Sequence, residues 1–106
     1  MDYELIRQCQ ATSRFTDHAR REMQAEPLGS IGVAEVLEVL EAGEIIEEYP
    51  DDTPYPSCLV LGRTRGGRAL HVVCAPVPAE GRLIIVTTYQ PDPTRWDPEF
   101  RLRSTP

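Results

Sequence analysis

His18 and His71 are the side chains best suited to proton transfer near neutral pH, and the chain has only these two histidines. His18 lies four residues before Glu22, so the two share a face of any helix that carries them. A carboxylate so placed orients the ring or raises its pKa. His71 sits in the β-rich run RALHVVCA, and Tyr89 ends the run RLIIVTTY. Brought together, His18, Glu22, His71 and Tyr89 would supply one general base and one general acid. With arginine to hold phosphate, that set suits metal-free RNA cleavage. The plainer alternative makes His18 and Glu22 helix-surface or capping residues and His71 a satisfied, half-buried strand histidine.

Arginine is available in two clusters. Arg63, Arg65 and Arg68 surround a Gly66-Gly67 tip, and Arg95, Arg101 and Arg103 lie near the C-terminus. Guanidinium forks grip phosphate bidentately, and a hairpin tip is exposed. The competing role is a solvated set of charges that protects sheet edges. A catalytic metal would need three ligands, for example His18, Glu22 and His71. No H-E-x-x-H or cysteine-rich spacing supports this, so neither metal nor cofactor is expected. The three cysteines (Cys9, Cys58, Cys74) form no zinc or C-x-x-C pattern, and read as free thiols in a reducing cytoplasm.

The chain has 106 residues, 41% of them hydrophobic and 26% charged, which fits one globular domain over 1–106. No apolar run is long enough for a membrane span, and no secretory signal is expected from the first twenty residues. The net charge is −6 and every base is arginine, since there is no lysine. The charge is split. Residues 22–62 hold ten acids and no base, whereas the remainder holds seven acids and eleven arginines, a net +4. An acidic chain is a poor general binder of nucleic acid. The split leaves a local arginine surface for an anionic substrate and an acidic surface for a basic partner.

The elements that must position these residues follow from periodicity and punctuation. Helices are expected over about 2–42. Leu5, Ile6 and Cys9 mark the first. Thr16 or Asp17 caps the second, which Pro27 ends. Ser30 caps a third over 31–42, with Val33, Val36, Leu37 and Leu40 inward and Glu35, Glu38 and Glu41 outward. Gly43 sits where a C-terminal left-handed glycine is expected. The sheet spans about 44–90: a short run at Ile45–Tyr49, then 57–64, 68–75 and 82–89. The order predicts an α+β fold, with two or three N-terminal helices on a four-stranded antiparallel meander. A tail over 91–106 is pinned by Trp96 and Phe100, read as core in a terminal helical turn.

Turn chemistry fixes a register. A two-residue loop at Gly66-Gly67 pairs Arg65 with Arg68, and hence Gly62 with His71. Leu59, Leu61, Leu70, Val72 and Cys74 then face the helices, leaving Val60, Gly62, Thr64, Ala69, His71 and Val73 on the other face. A three-residue loop at Ala79-Glu80-Gly81 sets Tyr89 opposite His71 and Thr87 opposite Val73.

Four stretches resemble the domain-of-unknown-function family numbered 4258 (DUF4258): FTDHARREM (15–23), GEIIEEYPDDTPYPSCLVLG (43–62), GRALHVV (67–73) and IVTTYQPDPTRWDPEF (85–100). The resemblance implies a fold grouped with barnase, colicin and RelE-like nucleases. It implies a bacterial or archaeal toxin that cuts RNA, paired with a small zinc-finger antitoxin that carries a helix-turn-helix DNA-binding part. Carried over by motif, the site residues are His18 and Glu22, His71, and Thr87 and Tyr89. RNA-cutting toxins of this fold are usually basic, and phosphate neutralisation drives RNA affinity. In this chain that work falls to Arg63, Arg65 and Arg68.

Two functions are therefore expected to compete. One is a metal-independent endoribonuclease of a toxin–antitoxin system. The other is a non-catalytic module that docks a basic partner on the acidic helix face of residues 35–48.

Overall fold

Three helices precede the main run of strands, in the order that the sequence pattern predicts. The computed structural model describes residues 1–104. Residues 105 and 106 of the expected tail lie outside the described residues. Helix α1 (Tyr3–Cys9) opens at Asp2, whose carboxylate accepts from the Glu4 N–H. Helix α2 (Asp17–Ala25) opens at Thr16. The Thr16 hydroxyl accepts from Ala19 N and donates to the Val86 carbonyl, so the cap also moors the helix to a strand.

Helix α3 (Val33–Ala42) starts later than expected. Ser30 does not cap it. The Glu35 carboxylate accepts from Gly32 N at 3.0 Å, and the Ser30 carbonyl is taken by Arg68. Val36, Val39 and Leu40 are buried and Leu37 packs part-buried against the core, whereas Val33, the first residue of the helix, is 47% exposed. Gly43 is extended (φ −81°), not left-handed. Its value is close approach: a Cβ there would sit 2.6 Å from Cγ1 of Val60.

The strands are β1 (Ser13–Phe15), β2 (Glu44–Tyr49), β3 (Ser57–Arg63), β4 (Ala69–Val77) and β5 (Arg82–Tyr89). They form one five-stranded mixed sheet, β1-β5-β4-β3-β2. The expected four-stranded antiparallel sheet is therefore corrected. β1 adds a fifth strand, parallel to β5, through Ser13–Leu83 and Phe15–Ile85. Three residues carry too little alternation to register as a strand, and the partner lies some seventy positions away. The helices cover one face of the sheet, where Ile6, Met23 and Val36 meet Val60, Val72 and Ile85. All three cysteines are buried free thiols, and Cys58 and Cys74 face each other across β3 and β4. Among the described residues no helix is long and apolar enough to cross a membrane.

The β3–β4 register differs by one residue from the two-residue loop. Gly67 N donates to the Thr64 carbonyl, Thr64 N donates to the Arg68 carbonyl, and Gly67 takes φ +87°. The loop thus holds one extra residue, Arg65-Gly66-Gly67, with glycine in the position that needs positive φ. His71 pairs with Leu61, and Gly62 pairs with Leu70. A one-residue slip exchanges the faces of β3. Cys58, Val60 and Gly62 face the helices, and Leu59 and Leu61 join His71 on the outer face.

Gly62 is therefore not a bare spot beside a histidine. It is where α3 presses on the sheet, and an added Cβ would lie 2.7 Å from Cγ1 and 2.9 Å from the carbonyl of Val39. Gly62→Ala is expected to lower the unfolding free energy by about 1–3 kcal/mol, as overpacking does. Urea denaturation followed by circular dichroism checks this, and an unchanged midpoint contradicts the close approach.

The β4–β5 pairing sets His71 opposite Tyr89 and Thr87 opposite Val73, as the sequence predicts. Two departures cancel on the way. β4 runs on through Pro76 to pair Val77 with Arg82, and a bulge between Val73 and Cys74 takes up the extra residue of β5. Gly81 supplies the left-handed residue of the turn (φ +61°).

Candidate active site

The outer face of the sheet, opposite the helices, carries His71, Thr87 and Tyr89. It is covered by the C-terminal segment, which is not a helical turn. Residues 92–104 double back on themselves: Trp96 bridges Arg103, Asp97 N donates to the Leu102 carbonyl, and Ser104 N to the Arg95 carbonyl. This strap lies across His71. The Trp96 ring stands edge-on to the imidazole, 4.4 Å between centroids, and Trp96 itself is only 5% exposed. Trp96 is core, as its sequence position implied. Phe100 contributes its carbonyl rather than its ring.

His71 is fully buried, and both ring nitrogens have partners. Nε2 lies 2.8 Å from the Phe100 carbonyl, which can only accept, so the proton sits on Nε2. Nδ1 then accepts from the Tyr89 hydroxyl at 3.2 Å. Phe100 holds φ +63°, a left-handed conformation unusual for an aromatic residue, and this turns its carbonyl towards the imidazole. Burial pushes the His71 pKa below its ordinary value. Burial also raises the Tyr89 pKa, so at neutral pH both groups are uncharged.

Sequence reasoning missed the charged neighbours of this pair. Glu47 on β2 binds Arg103 of the strap bidentately, at 2.9 and 3.0 Å, and accepts from the Tyr49 hydroxyl at 2.6 Å. Arg103 stacks 4.8 Å over the Trp96 ring. The hydrogen bonds from Arg103 hold the Glu47 carboxyl below its usual range, and burial pushes Tyr49 up to about 12. A signal was present in the sequence: Glu47 lies in an otherwise β-rich run, two residues from Tyr49. Its partner Arg103 lies more than fifty residues away on the C-terminal segment, which no turn or periodicity ties to β2.

His18 and Glu22 do not join His71. Both are exposed on α2, whose Ala19 and Met23 enter the core on the helix side of the sheet. Neighbouring residues of a strand point to opposite faces, and Val72 belongs to that same core, so the sheet separates His18 from His71. No hydrogen bond joins His18 to Glu22 among the described residues. Nor does any group of three His, Cys, Asp or Glu side chains meet there with the placement a metal needs.

The hairpin arginines differ from one another. Arg63 is exposed and bonds only the Gly67 carbonyl. Arg65 reaches Glu41 loosely, at 3.9 Å with both side chains solvated, and its backbone N–H donates to Glu38. Arg68 is a clamp. Its Nε donates to the side chain of Gln90, its Nη1 to the Ser30 carbonyl and Glu35, and its Nη2 to the Gly29 carbonyl. No arm of that fork is left for phosphate.

A family model, described as Domain of unknown function (DUF4258), matches residues 15–90. The chain belongs to that family. Comparison with curated proteins and with solved structures gives no match. The DUF4258 match takes in β2 through β5 and the last residue of β1, and so His71, Tyr89 and Glu47, and stops just before the strap. Trp96, Phe100 and Arg103, which cover the DUF4258 sheet face, lie outside the match.

Proposed function

We propose that this DUF4258 protein is a metal-independent endoribonuclease of the toxin type, acting in the cytoplasm from the outer face of its sheet. The observation that carries the reading is the gathering of His71, Tyr89, Glu47, Tyr49 and Arg103 on that face. Ionisable groups whose titration burial and charged neighbours displace, gathered on one face, are the kind of cluster that acid–base sites use. Helices on one side and a catalytic sheet face on the other is also the layering of barnase- and RelE-like nucleases.

In this reading His71, neutral at pH 7, takes the proton of a ribose 2′-hydroxyl. The freed oxygen attacks the adjacent phosphorus, and the P–O5′ bond breaks. Tyr89, kept protonated by burial, donates to the departing 5′-oxygen. Arg63, exposed at the end of β3 on the same face, offsets the charge that develops on the phosphoryl oxygens. The products are a 2′,3′-cyclic phosphate and a 5′-hydroxyl. Thr87, beside Tyr89, contacts the chain, and Arg63 and Arg65 draw in its backbone. His18 and Glu22 have no catalytic step. A zinc-finger antitoxin would silence the enzyme by covering this face.

The test uses purified protein and a single-stranded RNA oligonucleotide, with products resolved by mass. Cleavage to a cyclic phosphate is expected, falling at least ~100-fold in His71→Gln and in Tyr89→Phe. No cleavage by the folded wild type at any pH from 8 down to 5, or equal cleavage by His71→Gln, overturns the reading.

A second reading, a non-catalytic interaction module, draws on a different observation: both His71 ring nitrogens are already satisfied within the protein. The acidic face proposed for a basic partner is partly occupied, however. Arg68 meets Glu35, Arg65 meets Glu41, Arg101 meets Glu44 and Arg103 meets Glu47. A basic partner would have to displace these arginines. Its binding should then weaken steeply with salt, as isothermal calorimetry with a basic peptide would show.

A further inference from the structure

We infer that residues 92–104 form an autoinhibitory strap, which opens as a unit while the sheet and helices stay folded and so uncovers the His71–Tyr89 face. The inference deepens the nuclease reading and rests on it for its functional meaning.

Three observations carry it. First, the strap is tied mostly to itself. Its backbone bonds run between Trp96 and Arg103, Asp97 and Leu102, and Arg95 and Ser104, with Asp97 Oδ1 also accepting from Arg101 N. It can leave the sheet with those bonds intact. Second, its links to the sheet are few: the Trp96 ring, the Phe100 carbonyl on His71, and two ion pairs at the β2 edge, Arg101–Glu44 and Arg103–Glu47. The Arg101–Glu44 pair is about half exposed on both sides, where such pairs contribute little, whereas the bidentate Arg103–Glu47 pair is the firmer tie and must break on opening. Third, Phe100 keeps its left-handed backbone while it serves as the His71 acceptor, a conformation that opening would relieve. A groove of about 380 Å³ between Tyr89, Gln90, Asp92 and Trp96 marks where the cover already gapes.

The closed state is coupled to protons. His71 is faced by Tyr89 from β5, by Glu47 and Tyr49 from β2, and by Trp96, the Phe100 carbonyl and Arg103 from the strap. A second proton on Nδ1 would meet the Tyr89 hydroxyl in a buried place. Glu47 favours that proton, but Arg103 is bound to Glu47 and opposes it. Burial dominates, so the closed state holds His71 neutral. Once open, His71 titrates near its ordinary value of about 6.5. The open state then binds more protons below that pH, and closure is lost as the pH falls through it.

Trp96 is the only tryptophan and reports the strap directly. The experiment follows acrylamide quenching of Trp96 fluorescence in the full chain from pH 8 to pH 5, with far-UV circular dichroism in parallel. Quenching is expected to rise at least threefold below about pH 6.5 while the dichroism holds. The double variant Asp97→Ala/Arg101→Ala is expected to show raised quenching already at pH 8. If Trp96 stays shielded until the dichroism collapses, in wild type and variant alike, the strap is part of the core and the inference is overturned. Cleavage of the single-stranded RNA oligonucleotide is measured in the same samples. Opening together with faster cleavage in the double variant supports strap and nuclease together. Opening without cleavage supports the strap and overturns the nuclease reading. Cleavage that is no faster in an opened variant overturns autoinhibition.

Discussion

Arg68→Ala is expected to lower the unfolding free energy by about 2–4 kcal/mol, because it strands several acceptors at once. The Arg68 side chain is only 18% exposed, and its fork joins the α2–α3 link, α3 and the end of β5. Two of its acceptors are the Gly29 and Ser30 carbonyls in the link between α2 and α3. A third is Glu35, which also caps α3 through Gly32 N, and a fourth is the Gln90 side chain at the end of β5. Gln90 in turn gives its N–H to Glu26. Loss of the guanidinium therefore frees the α3 cap and the β5 end together. Arg68→Lys should recover only a minor part, since one ammonium cannot span acceptors spread around a planar fork. Urea denaturation of the three proteins measures both effects. A phosphate-binding Arg68 would behave in the opposite way, with stability unchanged and RNA affinity lost.

Arg68 also shows why the charge pattern was legible and its meaning was not. The acidic block over 22–62 and the arginines outside it are plain in the sequence. They suggested two faces, one for RNA and one for a basic partner. In the fold the blocks meet each other, through Glu35, Glu41, Glu44 and Glu47 paired with Arg68, Arg65, Arg101 and Arg103. Four of the ten acids are thus used in an internal complementarity that docks the hairpin tip and the strap against α3 and β2. Arg7, Arg14, Arg20, Arg21 and Arg63 remain without a carboxylate in ion-pair reach among the described residues.

Local signals carried most of the fold. The Thr16 cap, the Pro27 stop and the left-handed Gly81 were readable because each depends on residues near one another in sequence; the Tyr89–His71 pairing came out as expected because a longer turn and a bulge cancel. What failed depended on distance or on a single residue of turn length. The parallel β1 pairs with a strand far along the chain. The extra residue in the Arg65–Gly67 loop turned over the whole of β3, moving Gly62 under Val39 and Leu61 beside His71. Half of the candidate site was legible in the same sense. His71, Thr87 and Tyr89 lie on strands that the pattern showed, in a register restored by the bulge between Val73 and Cys74. Glu47 lies on β2 where the expected meander puts it, but Arg103 reaches it through a strap that no periodicity encodes. His18 and Glu22 share a helix face, as spacing required, but spacing says nothing about which side of the sheet that helix covers.

Trp96→Ala removes the largest side chain from the outer face, and truncating a buried tryptophan ordinarily costs about 3–5 kcal/mol. A strap that opens on its own sets a lower ceiling. Once the strap has left the sheet, the remaining domain unfolds with its own free energy, and no further change in the strap can reduce it. The global loss is therefore expected to saturate at the free energy of closure. Trp96→Ala should reach that ceiling alone, and Trp96→Ala/Arg103→Ala should lose less than about 0.5 kcal/mol more, although the two residues stack and each single change is measurable. Denaturation by urea, read by circular dichroism, gives the three values. The denaturant slope should also fall slightly in Trp96→Ala, because the strap no longer contributes newly exposed surface. Losses that continue to grow with each strap substitution, at constant slope, would mean that strap and sheet melt as one body. Saturation instead leaves His71 and Tyr89 on a folded, uncovered sheet, where Glu47 is free of Arg103 and can act on whatever reaches that face.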